Sequence, residues 1–461
     1  MFTNNNNNNT KQNLRILITG ATGFIGSRIV KRLLAADGQH SIRCMTRNPE
    51  NIHEFFNVSG DLIEIVKADA SNYSELVQAL KGIDVVFYLI HSMEGSSKKW
   101  QEFSKRDRIA AENFAKAASE TNTKRIIYLS GLIDTTHKDL SEHMKSRKEV
   151  GDILRTSKAD VTIFRAAVIL GQGGGSFQML QYLVERLPVM VCPKWVLTKS
   201  QPISVDDVVT YLIKSIEIQE TTNKDFDIGG PEILSYIDMM KRYSSILNKS
   251  LKIVIIPFLT PRLSSYWIDL ITPVKASLAR PLIDSLKHEA IVHDNKIQNL
   301  IPIKLKSFEE SIKTAMKEEV RKIKIIKKQK TSEIINKKIL IFSLITLAII
   351  GTTYYFLDND KIDIFNPLWI TLAGIWYFGI LFAIFFVKNG ARLGSMIAGI
   401  IGWITFTFWI FNNMYLLPDN FSNFSYHNIV IVIRNVVGSI VAGLCITASH
   451  NLFHKIRMLG K

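Results

Sequence analysis

The fold is decided by Thr19-Gly20-Ala21-Thr22-Gly23-Phe24-Ile25-Gly26, which separates an apolar run from a stretch with helical spacing. Residues 14–19 form a short, mostly apolar run that ends at glycine, as a buried parallel strand does. Apolar residues then recur at helical spacing over residues 24–36. The quoted stretch, which we call the glycine turn, is therefore predicted to join a first strand to a first helix.

The same alternation continues along the chain and predicts an α/β fold with a doubly wound parallel sheet of the Rossmann type over residues 14–175. Further strands are predicted at 41–46, 62–67, 84–90, 124–129 and 161–164, with helices at 73–80, 98–120 and 139–156. Beyond the glycine-rich stretch 171–175 the pattern loosens, with isolated strands such as 226–228. Residues 176–320 are predicted to form a smaller substrate lobe of the same unit.

The three glycines of the turn fit a dinucleotide site because each has a defined task. Gly20 allows the tight turn, Gly23 lets the backbone approach a diphosphate, and Gly26 lets the helix pack closely on the strand. The start of the helix adds free N–H groups and the positive end of its dipole. The residues predicted to contact the cofactor here are Gly20, Thr22, Gly23, Phe24, Ile25 and Gly26. The alternative is a glycine-rich turn that binds no ligand.

The end of the second strand indicates which nicotinamide cofactor is preferred. An NAD-selective site has a carboxylate there for the ribose 2′-hydroxyl, but the chain reads Arg43-Cys44-Met45-Thr46-Arg47-Asn48-Pro49 before its first acid, Glu50. Arg47 can pair with a 2′-phosphate through charge-assisted hydrogen bonds. We therefore predict NADP(H) as the preferred cofactor and NAD(H) as the second choice. The alternative for Arg47 is an ordinary solvated surface side chain.

Several stretches resemble the short-chain dehydrogenase/reductase superfamily, in its atypical branch of NmrA-like and epimerase-like NAD(P)-binding proteins. Besides the glycine turn, the matching stretches are Tyr88-Leu89-Ile90-His91-Ser92-Met93, Ser146-Arg147-Lys148-Glu149-Val150-Gly151, Arg165-Ala166-Ala167-Val168-Ile169-Leu170-Gly171, Gln201-Pro202-Ile203 and residues 259–286. The resemblance covers about residues 14–320. It implies that Asp69 and Ala70 border the adenine, that Leu89, Ile90 and His91 line the groove near the ribose and nicotinamide, and that Ser130 replaces the active-site serine. For His91, a strand-end histidine bonded to backbone is the alternative.

The chain departs from this family at the Tyr-x-x-x-Lys pair that active members use for proton transfer. The matching positions read His143-Met144-Lys145-Ser146-Arg147, so His143 and Arg147 share one helical face. In one hypothesis the protein is an oxidoreductase or epimerase-like enzyme in which His143 exchanges the substrate proton and Arg147 holds cofactor ribose or phosphate. In the other, the protein is a non-catalytic NADP(H)-binding redox sensor. Lys145 is a weaker candidate base, because its helical angle points away from the pair.

The C-terminal part is predicted to be a bundle of four transmembrane helices. Apolar runs at 339–357, 367–387, 393–416 and 429–449 are each near the length of about 20 residues that spans a bilayer. A basic juxtamembrane linker is predicted at 321–338 and the transmembrane domain at 339–461. The alternative, four buried helices of a soluble domain, fits these lengths poorly. Arg434 lies inside the last run, where snorkelling to the headgroups is favoured over a partner within the bundle.

Charge and cysteine usage limit the location and the partners. The chain of 461 residues has 57 basic and 41 acidic side chains, and its basic cluster before the first apolar run favours membrane phosphates over nucleic acid. The positive-inside rule places the soluble domain and both termini in the cytoplasm, at the cell inner membrane. Three well-separated cysteines suggest neither a disulfide framework nor a metal site. The Asn-rich residues 1–13 are predicted to be a disordered tail rather than a signal peptide.

Overall fold

The computed structural model describes residues 13–36, 40–49, 52–56, 62–91, 100–132, 141–187, 189–256, 283–284, 288–357, 366–389, 392–422 and 426–458. The chain divides into two compact units, Met1–Val320 and Arg321–Lys461. Residues 1–12 of the predicted N-terminal tail, Glu50 and most of residues 259–286 lie outside the described residues. Each unit is described below by itself.

The first unit is built on a seven-stranded sheet in which every pair of neighbours is parallel. Its strands are β1 (Arg15–Thr19), β2 (Ser41–Thr46), β3 (Glu64–Lys67), β4 (Val85–Tyr88), β5 (Arg125–Gly131), β6 (Asp160–Ala166) and a strand at Asp225–Ile228. In the sheet, the strand at Asp225–Ile228 forms one edge and is followed by β6, β5, β4, β1, β2 and β3. The order reverses between β1 and β4, which confirms the doubly wound Rossmann-like prediction.

Three two-stranded sheets complete the first unit. Their strands are β7 (Ile169–Leu170), β8 (Val189–Pro193), β9 (Lys199–Ser200), β10 (Ile203–Ser204), β12 (Leu234–Ser235) and β13 (Lys252–Ile256). The strand at Asp225–Ile228, which lies at the edge of the main sheet, is β11. β7 pairs with β10, β8 with β13, and β9 with β12. Short 3-10 helices occupy Lys194–Leu197 and Gln219–Thr221.

Helices cover both faces of the sheet. Those of the first unit are α1 (Gly26–Leu34), α2 (Ile52–Phe56), α3 (Tyr73–Leu80), α4 (Trp100–Glu120), α5 (Glu142–Leu154), α6 (Gly175–Arg186), α7 (Val205–Lys214), α8 (Tyr236–Ile246) and α9 (Lys296–Leu300). Polar side chains cap several of them: Ser141 accepts a hydrogen bond from Met144 N and starts α5. A Ser235–Asp238 capping box starts α8.

The core lies in two layers because successive residues of a strand point to opposite faces. Ile16 and Ile18 of β1 pack in the layer that α1 and α7 cover, whereas Leu17 packs in the layer of α3, α4 and α5. All three side chains are fully buried. Burying each such side chain contributes about 1.5–3 kcal/mol relative to exposure, so the two layers hold β1 firmly in the centre of the sheet.

The strand predicted at 226–228 is not isolated, because β11 pairs with β6 and completes the main sheet. Phe226 stacks on Phe164 of β6 with ring centroids 5.8 Å apart. Sequence spacing could not indicate this pairing, since a crossover of nearly sixty residues (167–224) separates the two strands. Part of the segment predicted as the substrate lobe therefore belongs to the sheet itself.

Four long helices follow: α10 (Phe308–Leu357), α11 (Pro367–Lys388), α12 (Arg392–Ser422) and α13 (Tyr426–Met458). The basic residues 321–338, predicted as a juxtamembrane linker, lie within α10, because 308–338 lacks Gly and Pro and is rich in helix formers. Each helix includes a span long and apolar enough to cross a membrane, at Thr331–Thr353, Ile370–Lys388, Leu393–Phe411 and Ile429–Phe453.

Within the second unit, α12 and α13 approach each other closely at small residues. Ser449 Oγ donates to Ser395 O at 2.6 Å, and a Cβ added at Gly399 would lie 2.6 Å from Ser449 Oγ. Arg434 is buried: its Nε donates to Asn435 Oδ1 and its guanidinium lies over the ring of Trp409. The snorkelling predicted for Arg434 is therefore wrong, because the cation faces the bundle.

Candidate functional site

The glycine turn has the geometry of a close strand-to-helix connection. Gly20 has a positive φ of 61°, and its carbonyl accepts a hydrogen bond from Gly23 N at 2.8 Å. A Cβ added at Gly26 would lie 2.3 Å from Gly20 O, which is shorter than any real contact. Gly20 is therefore needed for its backbone conformation and Gly26 for the close approach of α1.

The start of α1 offers backbone donors to a ligand. Ile25 at the helix start makes no side-chain capping hydrogen bond. Within the described residues, no hydrogen bond is recorded for the backbone N–H groups of Thr22, Phe24, Ile25 and Gly26. Unpaired donors at the positive end of a helix favour an anion. The chemistry of these groups fits a diphosphate.

The strand order of the sheet reverses between β1 and β4, beside the glycine turn. Thr19 Oγ1 donates to Phe87 O at 3.1 Å and accepts from Leu89 N at 2.7 Å, so one buried hydroxyl ties the ends of both strands together. A Cβ added at Gly20 would lie 3.5 Å from Leu89 O, so the glycine turn directly adjoins Leu89. Open α/β sheets bind ligands at this position.

Phe24 of the glycine turn is held by a second glycine-rich loop. A Cβ added at Gly174 would lie 2.7 Å from Phe24 Cζ, and one at Gly171 would lie 3.3 Å from Phe24 Cε2. Arg28 lies over the Phe24 ring, donates to Phe24 O and Gln172 O, and pairs with Glu318 at 2.6 Å. The sequence analysis missed Arg28, because nothing in its surroundings distinguishes it from other helical arginines.

The other predicted cofactor residues lie at the ends of β2 and β3. Arg47 follows β2 and is exposed, and no ion pair is recorded for it among the described residues. Asp69 follows β3, where its Oδ1 accepts from Ser71 N at 2.8 Å, and Ala70 is buried beside it. The Asp69 carboxylate thus shapes its own turn, and Arg47 lies exposed at the same edge of the sheet.

Four polar side chains from three elements meet beyond β4, and we call them the histidine cluster: His91, Asp107 of α4, and His143 and Arg147 of α5. His91 Nδ1 lies 3.3 Å from Asp107 Oδ2. The rings of His91 and His143 are 4.9 Å apart at their centroids. Arg147 donates to Leu129 O at 3.2 Å, so its guanidinium is tied to the end of β5.

Both histidines of the cluster are neutral at pH 7. Burial, aided by Arg147, lowers the pKa of His91 to about 4, although the Asp107 carboxylate acts in the opposite direction. Burial lowers the pKa of His143 well below its usual value, and His91 and Arg147 act in the same direction. A neutral imidazole has a lone pair, so the cluster offers proton acceptors.

Ser130 lies one residue before the end of β5 and is buried. Tyr88 pairs with Tyr128 in the sheet, so Ile90 and Ser130 each lie two residues beyond that pair. Lys145 instead points outward, where it is exposed and pairs with Glu142 at 2.7 Å. The structure therefore brings Ser130, His91 and His143 to one end of β4 and β5 and leaves Lys145 outside.

The sequence analysis missed Asp107, the carboxylate of the histidine cluster. It lies in the charged run Lys105-Arg106-Asp107-Arg108, which resembles a solvated helix face. It is only 6% exposed because α4 packs against α5 on one side and α3 on the other.

Comparisons with known proteins agree with this geometry. Residues 20–186 match the family model described as NAD(P)H-binding. The chain is 28% identical over 176 residues to the ceramide reductase of Caulobacter vibrioides, a match that covers 38% of this chain and about half (52%) of that protein.

Two solved structures share the fold and differ in cofactor. One is the triphenylmethane reductase of Citrobacter sp. complexed with NADP(H), with a TM-score of 0.52, 17% identity, and coverage of 65% of this chain and 99% of that one. The other is UDP-glucuronic acid 4-epimerase from Bacillus cereus with UDP-glucuronic acid and NAD, with a TM-score of 0.51, 15% identity, and coverage of 66% and 99%. The family match over residues 20–186 supports a nicotinamide cofactor and does not distinguish NAD(H) from NADP(H). The N-terminal unit therefore carries an NAD(P)H-binding domain over residues 20–186, which is similar to the NmrA-like and epimerase-like proteins of the short-chain dehydrogenase/reductase superfamily.

Proposed function

We propose that the chain is a membrane-anchored, NADP(H)-dependent oxidoreductase or epimerase-like enzyme that acts on a carbonyl or alcohol group. The observation that carries this proposal is the position of His143, which lies in ring contact with His91 at the end of β4, beside the glycine turn. A proton-exchanging group thus adjoins a groove that fits a dinucleotide.

In this proposal the cofactor diphosphate lies on the unpaired N–H groups of the glycine turn, and Arg47 pairs with the 2′-phosphate. Asp69 and Ala70 border the adenine, and Leu89, Ile90 and His91 line the groove toward the nicotinamide. When bound, the cofactor supplies or accepts the hydride. Its preference for NADP(H) rests on the exposed Arg47 cation and on the lack of a carboxylate at residues 46–49.

The remaining groups have distinct tasks at the reacting carbon. Ser130 donates a hydrogen bond that orients the substrate oxygen, and His143 exchanges a proton with that oxygen. Because burial keeps His143 neutral, it acts at pH 7 as a base that takes the proton of an alcohol. Arg147 keeps His143 neutral through its charge and holds cofactor ribose or phosphate with the donors that Leu129 O does not use.

The membrane part of the proposal rests on the second unit. Residues 339–461 would anchor the enzyme with both termini and the soluble unit, including residues 14–175 and the lobe 176–320, on the cytoplasmic side of the inner membrane. The basic residues 321–338 would meet the anionic headgroups. Large apolar side chains such as Phe342, Phe378 and Phe411 point outward from these helices, as lipid-facing residues do. Anchoring concentrates lipid-borne substrates, and the similarity to a ceramide reductase supports a lipid carbonyl or quinone.

A non-catalytic redox sensor is the second candidate, because the phenol of Tyr-x-x-x-Lys is missing and His143 is mostly screened from solvent. Such a protein would bind NADP(H) through the same glycine turn and would not turn it over.

Titration of the full chain in detergent with NADPH and NADH, followed by nicotinamide fluorescence, tests the binding common to both candidates. We expect saturable binding of both, with NADPH bound more tightly. If neither nucleotide binds, both candidate functions are wrong.

The two candidates are separated by His143→Ala, with the exposed Lys148→Ala on the same helix as the matched control. Oxidation of NADPH is followed with a panel of quinones, long-chain aldehydes and ketolipids. For an enzyme, His143→Ala lowers turnover by roughly 10²–10⁴-fold with unchanged NADPH affinity, and Lys148→Ala does not. No turnover by the unmodified chain with any member of the panel favours the sensor, and equal turnover in both variants removes His143 from the mechanism.

A further inference from the structure

The carboxylate of Asp107 fixes the proton position on His91. Its Oδ2 lies 3.3 Å from His91 Nδ1, and both side chains are largely buried. A carboxylate only accepts hydrogen bonds, so the neutral imidazole is held with its hydrogen on Nδ1. The lone pair of His91 is then on Nε2.

This Nε2 is buried and has no hydrogen-bond partner within the described residues. The charged and titratable groups that face His91 are Asp107 from α4, and His143 and Arg147 from α5. Of these, only His143 is a neutral base in ring contact with His91. An unpaired acceptor of this kind is costly to bury, which indicates that it serves a purpose.

We propose that His143, His91 and Asp107 form a proton relay in which His91 Nε2 accepts the proton that His143 has taken from the substrate, while Asp107 acts as the positioning residue. The relay rests on the proposed function, in which His143 is the base. It adds two residues to the proton path and gives the buried His143 a route by which it can lose its proton.

The relay balances for oxidation of an alcohol. The substrate O–H bond breaks as an N–H bond forms on His143, while the carbon-bound hydrogen leaves as hydride, with its electron pair, to the oxidised nicotinamide. The proton then passes from His143 to His91 Nε2 when the two rings, whose centroids are 4.9 Å apart, turn to bring a nitrogen of His143 within hydrogen-bond distance of Nε2. His143 becomes neutral again. The resulting His91 imidazolium is stabilised by the Asp107 carboxylate until water removes the proton. Reduction of a carbonyl runs the same path in reverse.

The first test needs neither cofactor nor substrate. The full chain, labelled with 15N-histidine and held in lipid nanodiscs at pH 7, is measured by 1H–15N correlation spectra, with His91→Gln to assign the His91 signals. We expect His91 to be neutral with its hydrogen on Nδ1. A hydrogen on Nε2, or a doubly protonated ring, overturns the relay, whatever the outcome of the nucleotide titrations.

The second test compares Asp107→Asn with Asp152→Asn, an exposed carboxylate of α5 that pairs with Lys148. The amide that Asp107→Asn introduces can donate to Nδ1, so we expect the His91 hydrogen to move to Nε2 in that variant and to stay on Nδ1 in the control. With an oxidisable alcohol, Asp107→Asn should slow turnover about tenfold or more, with NADP⁺ affinity within twofold. Because the Asp107 carboxylate raises the pKa of His91, its loss should also move the acid limb of the pH profile to lower pH. An unchanged tautomer and an unchanged pH profile in Asp107→Asn overturn the relay but leave cofactor binding and His143 untouched.

Discussion

The glycine turn and the histidine cluster lie at the same edge of one sheet, yet they are built from different groups. The glycine turn uses backbone N–H groups and spaces without side chains, all within the eight residues 19–26. The histidine cluster uses side chains of residues 91, 107, 143 and 147, which come from three separate elements. The first is set by local conformation, whereas the second depends on how α4 and α5 pack.

This difference predicts that the glycine turn tolerates no added atom, whereas the cluster tolerates conservative changes of shape. Among substitutions in these two regions, Gly26→Ala should lower the affinity for NADPH the most, because its Cβ would lie 2.3 Å from Gly20 O. We expect NADPH affinity to fall at least about a hundredfold. Gly374→Ala, where no atom lies within 4 Å of the added Cβ, is the matched control and should bind normally. Unaltered NADPH binding by Gly26→Ala would mean that the nucleotide lies elsewhere.

The histidine cluster should make stability depend on pH in a way that the glycine turn cannot. The pKa of His91 is about 4 in the folded chain and about 6.5 when unfolded, so the unfolded chain binds more protons between these values. The stability from His91 is complete above pH 6.5 and is lost as the pH falls toward 4, by about 3 kcal/mol in all. His91→Asn should reduce the fall in Tm between about pH 7.5 and pH 5, whereas the exposed His293→Asn should not. An equal fall in all three proteins would contradict burial of a neutral His91.

The sequence predicted the conformation of the glycine turn, with Gly20 in the tight turn and Gly26 where α1 packs closely. It could do so because a strand, a glycine spacing and a helix start are local features. It also predicted that His143 and Arg147 share a face, since the helical period places residues four apart together. It could not predict Asp107, because burial of that carboxylate depends on the rotation of α4 against α5. It likewise missed that β11 joins the main sheet, since pairing across a long crossover leaves no local signal.

Thr19 links the two regions, and its hydroxyl offers a test of how far they depend on each other. Thr19→Val keeps the shape but leaves Leu89 N without its acceptor and Phe87 O without its donor, in a buried place. We expect the free energy of unfolding to fall by about 2 kcal/mol. Thr19→Ser keeps the hydroxyl and should recover most of that loss in a denaturant titration. If Thr19→Ser is as unstable as Thr19→Val, the methyl group rather than the hydroxyl joins the two strands.

Arg47 belongs to neither region, and we expect its substitution to change the affinity for the cofactor the least. Its side chain is exposed, so the pair with a 2′-phosphate is partly screened by water and salt. Arg47→Ala should weaken NADPH about tenfold, which is about 1.4 kcal/mol, and leave NADH unchanged. Arg47→Lys keeps the charge but loses the paired donors, so it should fall between the two. The loss for NADPH should also shrink at high salt, because only the charged contact is screened. Equal weakening of NADPH and NADH would show that Arg47 supports the fold of the site rather than reading the phosphate.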